Sequence, residues 1–157
     1  ATLQQNTLTF APHENSYRRL LPGAHAPTNV AWGYENRTAA IRIPGGEGKA
    51  RRIEHRVAGA DANPYLVVAA IVAGIVDGMQ RQCPAPQAIE GNAHKQLEPC
   101  LPRTWLDAIR HFETSEFCQQ YFSSEFVTLF STVKNSEYEL YNKQIPDFEY
   151  DWYLRTI

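Results

Sequence analysis

Residues 65–76 run without a charge, YLVVAAIVAGIV, directly behind Asp61-Ala62-Asn63-Pro64. Asparagine before proline writes a helix start. The Asn63 side chain caps free amides, and Pro64 takes the first helical position, where its missing N–H costs nothing. A bilayer span needs about 20 apolar residues, and this segment is shorter. Apolar around its whole circumference, it predicts an interior helix lying across the back of a sheet. A chain of 157 residues can enclose such a helix in one domain.

The sheet is read upstream. Residues 29–34 and 38–43 suit two short strands joined at Glu35-Asn36-Arg37 and stopped by Pro44-Gly45-Gly46. Residues 51–57 suit a third, with Arg52, Glu54 and Arg56 on one face and Arg51, Ile53, His55 and Val57 on the other. Residues 12–21 predict a short capped helix ended by Pro22-Gly23, and GAHAPT a loop. Pro84, Pro86, Pro99 and Pro102 mark residues 81–103 as a long connection. Helices follow at 104–111, 115–121 and 124–141, resuming after Pro146 toward Leu154. Phe122, Phe126, Leu129, Phe130 and Val133 recur at threes and fours and predict one apolar stripe against the core. The fold class is α+β: short antiparallel strands, a buried helix and a helical tail.

Charge is what makes the strands unusual. Residues 15–56 hold Arg18, Arg19, Arg37, Arg42, Arg51, Arg52, Arg56 and Lys49 against only Glu35, Glu47 and Glu54. The last fifty residues are acidic, so a net charge of −2 hides a basic first third. Exposed ion pairs add little stability, which makes this accumulation costly to explain as a solvated ladder. Guanidiniums are planar forks suited to carboxylates and phosphates. A glutamate between two of them, Glu54, is a candidate ligand for a divalent cation. The focus of positive charge in one segment argues against coating a nucleic acid.

Other chemistries find little support. Cys83, Cys100 and Cys118 are odd in number, widely spaced and without a C-x-x-C pair, which disfavours a disulfide framework or zinc site and suits a reducing, cytoplasmic setting. The five histidines show no zinc-binding spacing, and no G-x-S-x-G turn is present. GGEGK lacks the strand–loop–helix context and the GK[ST] ending of a phosphate loop. The first ten residues lack the pattern of a secretory signal. Phosphoryl and carboxylate chemistry remains, since an arginine-lined site supplies the positioning and charge neutralisation it needs.

The order NSYRRLLPG, AP, NRTAAIRIP, KARRIEHR, ADANPYL and AAIVAG resembles the C-terminal part of the glutamine synthetase catalytic domain, densely over residues 12–80 and more weakly through the closing FEYDWYL. The resemblance implies that residues 1–157 are the C-terminal portion of that domain, without its N-terminal β-grasp domain and first half, and inactive alone. It implies ATP-dependent formation of a γ-glutamyl amide from glutamate and an amine or ammonia, with Mg²⁺ or Mn²⁺. It also implies a homo-oligomer, commonly a dodecamer, with active sites between subunits, and no nucleic-acid or membrane partner. Carried over by position, Arg19, Arg37 and Arg56 would contact glutamate, with Arg19 also on the transferred phosphate. Arg37, Arg42, Lys49 and Arg52 would line ATP, and Glu54 would bind metal.

Two departures matter. His25 stands where glutamine synthetases proper carry a glutamate that takes a proton from ammonium. An imidazole is a poor cation trap but a competent base near neutral pH. This is similar to the γ-glutamylputrescine and γ-glutamylpolyamine synthetase branch, which uses a larger amine. His94 in GNAHKQ lies where adenylylated members offer a tyrosine, which argues against that regulation. The remaining alternatives are glutamine synthetase proper and a non-catalytic binding or assembly module of the same family.

Overall fold

The computed structural model describes residues 2–156. Its sheet has the order β1-β2-β3, built from β1 (Trp32–Tyr34), β2 (Ile41–Ile43) and β3 (Glu54–His55). The strands β2 and β3 are antiparallel, as expected, with Arg42 opposite Glu54. The expectation fails for β1 and β2, which pair in parallel with Trp32 against Ile41 and Tyr34 against Ile43. Strand length explains the difference. Three residues advance only about 10 Å, so residues 35–40 suffice to bring the chain back to its starting edge. Glu35, at φ 49°, begins that return. The third strand is also shorter than read, because β2 offers β3 so few backbone partners; residues 51–53 lie outside the ladder and are exposed.

Helices form the rest: α1 (Thr7–Phe10), α2 (Glu14–Arg19), α3 (Pro64–Gln80), α4 (Ala93–Gln96), α5 (Trp105–Glu113), α6 (Glu116–Phe122), α7 (Ser124–Asn142) and α8 (Asp147–Tyr153). The core gathers around α1, whose Leu8 and Phe10 are fully enclosed. It adds Tyr17 and Leu20 near α2, Val57 after β3, and Phe117 and Cys118 from α6. Trp105, Ala108, Ile109 and Phe112 supply the inward stripe of α5, one residue every three or four. The starts of α5, α6 and α7 are capped by Thr104, Ser115 and Ser123, whose hydroxyls accept backbone amides of the first turn.

Two burial expectations are corrected. α3 starts as read, with Asn63 Oδ1 accepting from the amides of Tyr65 (3.0 Å) and Leu66 (3.4 Å). Yet only Ala70, Ala73 and Asp77 are buried on it, while Tyr65, Val68, Val72, Ile75 and Met79 are exposed. Apolar composition says what surroundings a helix favours, not which elements its own chain brings to cover it. On α7, Phe126 and Phe130 do pack on the core, together with Phe122 at the end of α6, but Leu129 and Val133 are exposed. The fully inward positions are Val127, Ser131 and Lys134. Lys134 is neutralised by Glu137 at 2.7 Å and sits 5.7 Å from the Phe130 ring centre.

Candidate active site

The cross-strand register builds the charged centre. Arg42 on β2 lies opposite Glu54 on β3 and donates Nη1 to Glu54 Oε2 at 2.9 Å. Its Nη2 donates to Glu35 Oε2 at 2.6 Å, from the end of β1. Glu54 Oε1 in turn accepts from Arg56 Nε at 3.2 Å. The row expected on β3 is therefore corrected. Arg56 and Glu54 do meet, but Arg52 is exposed and among the described residues reaches only the Ala50 carbonyl at 3.4 Å. Its place beside Glu54 is taken by Arg42, because the partner strand, not the next residue along, is the nearer neighbour. Glu35 is held below the usual carboxylate range by the Gly45 amide first and then Arg42, and it raises Arg42 in return.

A cleft of about 640 Å³ opens beside this network. Its lining brings together His25, Arg37 and Arg56 from the predicted set, and adds His94 and Lys95 from α4. Arg37 is exposed on the β1–β2 connection, and His25 is exposed on the loop after α2. Lys49 sits in an exposed single-turn helix, Gly48–Ala50, apart from these groups. Arg19 stands behind the cleft. It donates Nη1 to the Arg56 carbonyl (3.4 Å) and Nη2 to that of Val57. Burial pushes Arg19 below the ordinary guanidinium range; Asp61 pulls it back up, and Arg56 adds to the lowering.

The wall bearing His94 and Lys95 is attached largely by side chains, with one backbone bond from the Ile89 amide to the Trp32 carbonyl at 2.9 Å. Buried Asn36 donates to the carbonyls of Ile89 (3.1 Å) and Gly91 (2.9 Å), while its Oδ1 accepts from the Thr38 amide at 2.9 Å. Thr38 Oγ1 accepts from the Ala93 amide at 2.8 Å. Gly33 allows the close approach, since a Cβ there would stand 2.6 Å from the Ile89 carbonyl oxygen. The roles of Asn36, Thr38 and Lys95 escaped the sequence reading. An asparagine bonding its own backbone two residues on was the available signal in ENRT.

Among the described residues no three His, Cys, Asp or Glu side chains converge as a metal site. Both oxygens of Glu54 already accept from guanidiniums. These residues alone do not fit a divalent cation.

Residues 1–153 match the family model for the glutamine synthetase catalytic domain. The chain belongs to the glutamine synthetase family. It is 41% identical over 147 residues to the γ-glutamylputrescine synthetase PuuA of Escherichia coli (strain K12), covering 94% of this chain and 31% of that protein. It is 37% identical over 147 residues to the γ-glutamylethanolamide synthetase GlnA4 of Streptomyces coelicolor, covering 94% and 32%. A glutamine synthetase of Methanococcus voltae is 33% identical over 152 residues, covering 92% and 34%. A solved structure of GmaS in its apo form superimposes with a TM-score of 0.81 at 30% identity, covering 96% of this chain and 35% of that one. The chain thus spans about a third of the length of these glutamine synthetase relatives. The α+β class and the family resemblance read from the sequence both stand. Among the described residues no helix is long and apolar enough to cross a membrane.

Proposed function

We propose that the protein carrying this chain is an ATP-dependent ligase joining the γ-carboxyl of glutamate to an organic amine, putrescine or a related one. The observation that carries this reading is the convergence of His25, Arg37 and Arg56 on one cleft, with Lys95 beside them. Three permanent cations lining a recess favour a ligand with several anionic groups, as glutamate and a phosphoryl donor have. ATP supplies the phosphoryl group that turns the γ-carboxylate into an acyl phosphate. The amine nitrogen then bonds to that carbonyl carbon, the carbon–oxygen bond to phosphate breaks, and one amine proton must leave.

In this reading Arg56 grips a glutamate carboxylate and Arg37 spans glutamate and phosphate. Arg42, Lys49 and Arg52 contribute on the nucleotide side, and Arg19 supports the glutamate side from behind. Exposed His25 takes the amine proton, a role open to a neutral imidazole. A divalent cation, for which Glu54 would be one ligand, belongs to the family chemistry, but no step here depends on one. Residues 1–157 would be the C-terminal portion of the catalytic domain. A ring of copies, such as a dodecamer sharing sites between subunits, completes the proposal.

The test is phosphate release by the complete protein with ATP, glutamate and Mg²⁺ or Mn²⁺, across putrescine, ethanolamine, methylamine and ammonium. Release with an organic amine above that with ammonium supports the reading. Preference for ammonium points to glutamine synthetase proper, and no amine-dependent release at all points to a binding or assembly module.

A further inference from the structure

The backbone behind the cleft is fixed to α2 by polar bonds. Arg19, the last residue of α2, ends on the carbonyls of Arg56 and Val57. Three residues earlier, buried Ser16 donates its Oγ to Asp61 Oδ2 at 2.5 Å. Residues three apart share one helix face, so one face of α2 holds both ends of the loop that runs from Arg56 to Asp61. His13 joins the same knot, its amide donating to Ser16 Oγ at 3.2 Å and its Nδ1 lying 3.5 Å from Asp61 Oδ2.

Gly59 shows how tightly the two charged groups are set. A Cβ there would lie 2.3 Å from Asp61 Oδ1 and 3.4 Å from Arg19 Nη2. Carboxylate and guanidinium therefore share the side of Gly59 that any other residue would fill. The Gly59 amide donates to the Phe10 carbonyl at 2.9 Å, pinning this point to the core helix α1. Burial pushes the Asp61 carboxyl up, but Ser16, its own backbone amide and His13 outweigh that and leave it lowered.

Helix capping alone does not account for Asp61. The bond by which Ser16 closes on the start of α2, from the His13 amide to its Oγ at 3.2 Å, is made without Asp61. Asp61 comes from 45 residues away and brings a negative charge that favours the Arg19 guanidinium, which Arg56 opposes. Arg19 spends its donors where they fix the Cα of Arg56, whose side chain reaches the cleft.

We propose that Asp61 is a positioning residue for Arg56, acting through Ser16 and Arg19 to hold α2 and the 56–57 backbone at one separation. Asp61 touches no substrate in this arrangement. The inference rests on the reading that Arg56 grips a glutamate carboxylate.

Steady-state kinetics of the complete enzyme with glutamate, ATP and an accepted amine tests it, using Asp61→Asn, Ser16→Ala, Ser16→Thr and Arg56→Lys. Asp61→Asn should raise the KM for glutamate about 10-fold while the KM for ATP stays within about 2-fold, since only the glutamate arm is displaced. Ser16→Ala should move the glutamate KM the same way by less, and Ser16→Thr, which keeps the hydroxyl, should restore it. In the double variant Asp61→Asn with Ser16→Ala, the effects should fall short of the product of the single changes. A wild-type glutamate KM in Asp61→Asn, with only a lower melting temperature, overturns the proposal. If Asp61→Asn does not assemble, the Ala and Thr variants of Ser16 decide: equal glutamate KM values in the two overturn it. Arg56→Lys separates the two readings. A raised glutamate KM there, with no change in the Asp61 and Ser16 variants, rejects the positioning role alone. No change in Arg56→Lys rejects the carboxylate grip and this inference with it.

Discussion

Arg42 and Glu54 face each other across β2 and β3, 2.9 Å from Nη1 to Oε2, and Arg56 closes on the other oxygen of the same carboxylate. Glu54 thereby keeps two guanidiniums, both more than four-fifths buried in their side chains, from repelling each other. Glu54→Gln keeps the shape and removes the charge. Arg42 retains Glu35, whereas Arg56 has no other carboxylate partner among the described residues. The expected loss is about 1–2 kcal/mol of stability, moderated by solvent at the partly exposed Glu54. Urea denaturation of the complete protein measures it, and an unchanged midpoint would show that water already screens the pair.

His55 packs at a tilt of 42° on Phe10 with ring centres 4.3 Å apart, and its buried Nδ1 has no partner among the described residues. Burial lowers its pKa from the ordinary 6.5 to about 4. In the unfolded chain the ring binds its proton near 6.5, so between the two values the unfolded state holds more protons. Stability is therefore complete above 6.5 and is lost as pH falls toward 4, by up to about 3 kcal/mol. Melting curves at pH 7 and pH 4.5 should show this loss, and His55→Phe should flatten it. Equal slopes in the two proteins would contradict the assignment.

Asn36→Ala breaks the bonds to Ile89, Gly91 and Thr38 together. A cost of about 2–3 kcal/mol is expected, because three hydrogen bonds of one buried side chain are lost together. Gly33→Ala should act on the same wall by clash, its new methyl meeting the Ile89 carbonyl. Both variants should speed proteolysis within residues 86–95 before the remainder of the chain is cut. Uniform cutting in both would show that this wall unfolds only with the whole.

His25 lies on the cleft rim and is exposed, so it can change without disturbing the core. In the complete enzyme His25→Glu should shift use from organic amines toward ammonium, since a negative carboxylate holds a small cation that a neutral imidazole does not attract. Competition between putrescine and ammonium measures the shift. An unchanged ratio would remove His25 from acceptor choice.

Local signals carried far along this chain. The Asn63-Pro64 start, the prolines of 81–103 and the boundaries of α5, α6 and α7 were legible, because caps and breakers act on their own neighbours. The relation between Arg42 and Glu54 was not, since it depends on register between strands rather than on spacing within one. Arg52 was misplaced for the same reason. The short α1 was also missed: four residues carry too little periodicity to announce a helix, although Leu8 and Phe10 sit at the centre of the core. Exposure of α3 lay beyond any pattern, because burial is decided by neighbours.

The wall bearing His94 and Lys95 hangs from the sheet by few bonds, chiefly those of Asn36 and Thr38 and the Ile89 amide on the Trp32 carbonyl. Such an attachment opens at far lower free energy than the packed centre of a fold. The amides of Ile89 and Ala93 should therefore trade their protons with solvent as a pair, well ahead of those in α5. One recess would then have two tempos, slow on the side of Arg56 and quick on the side of Lys95.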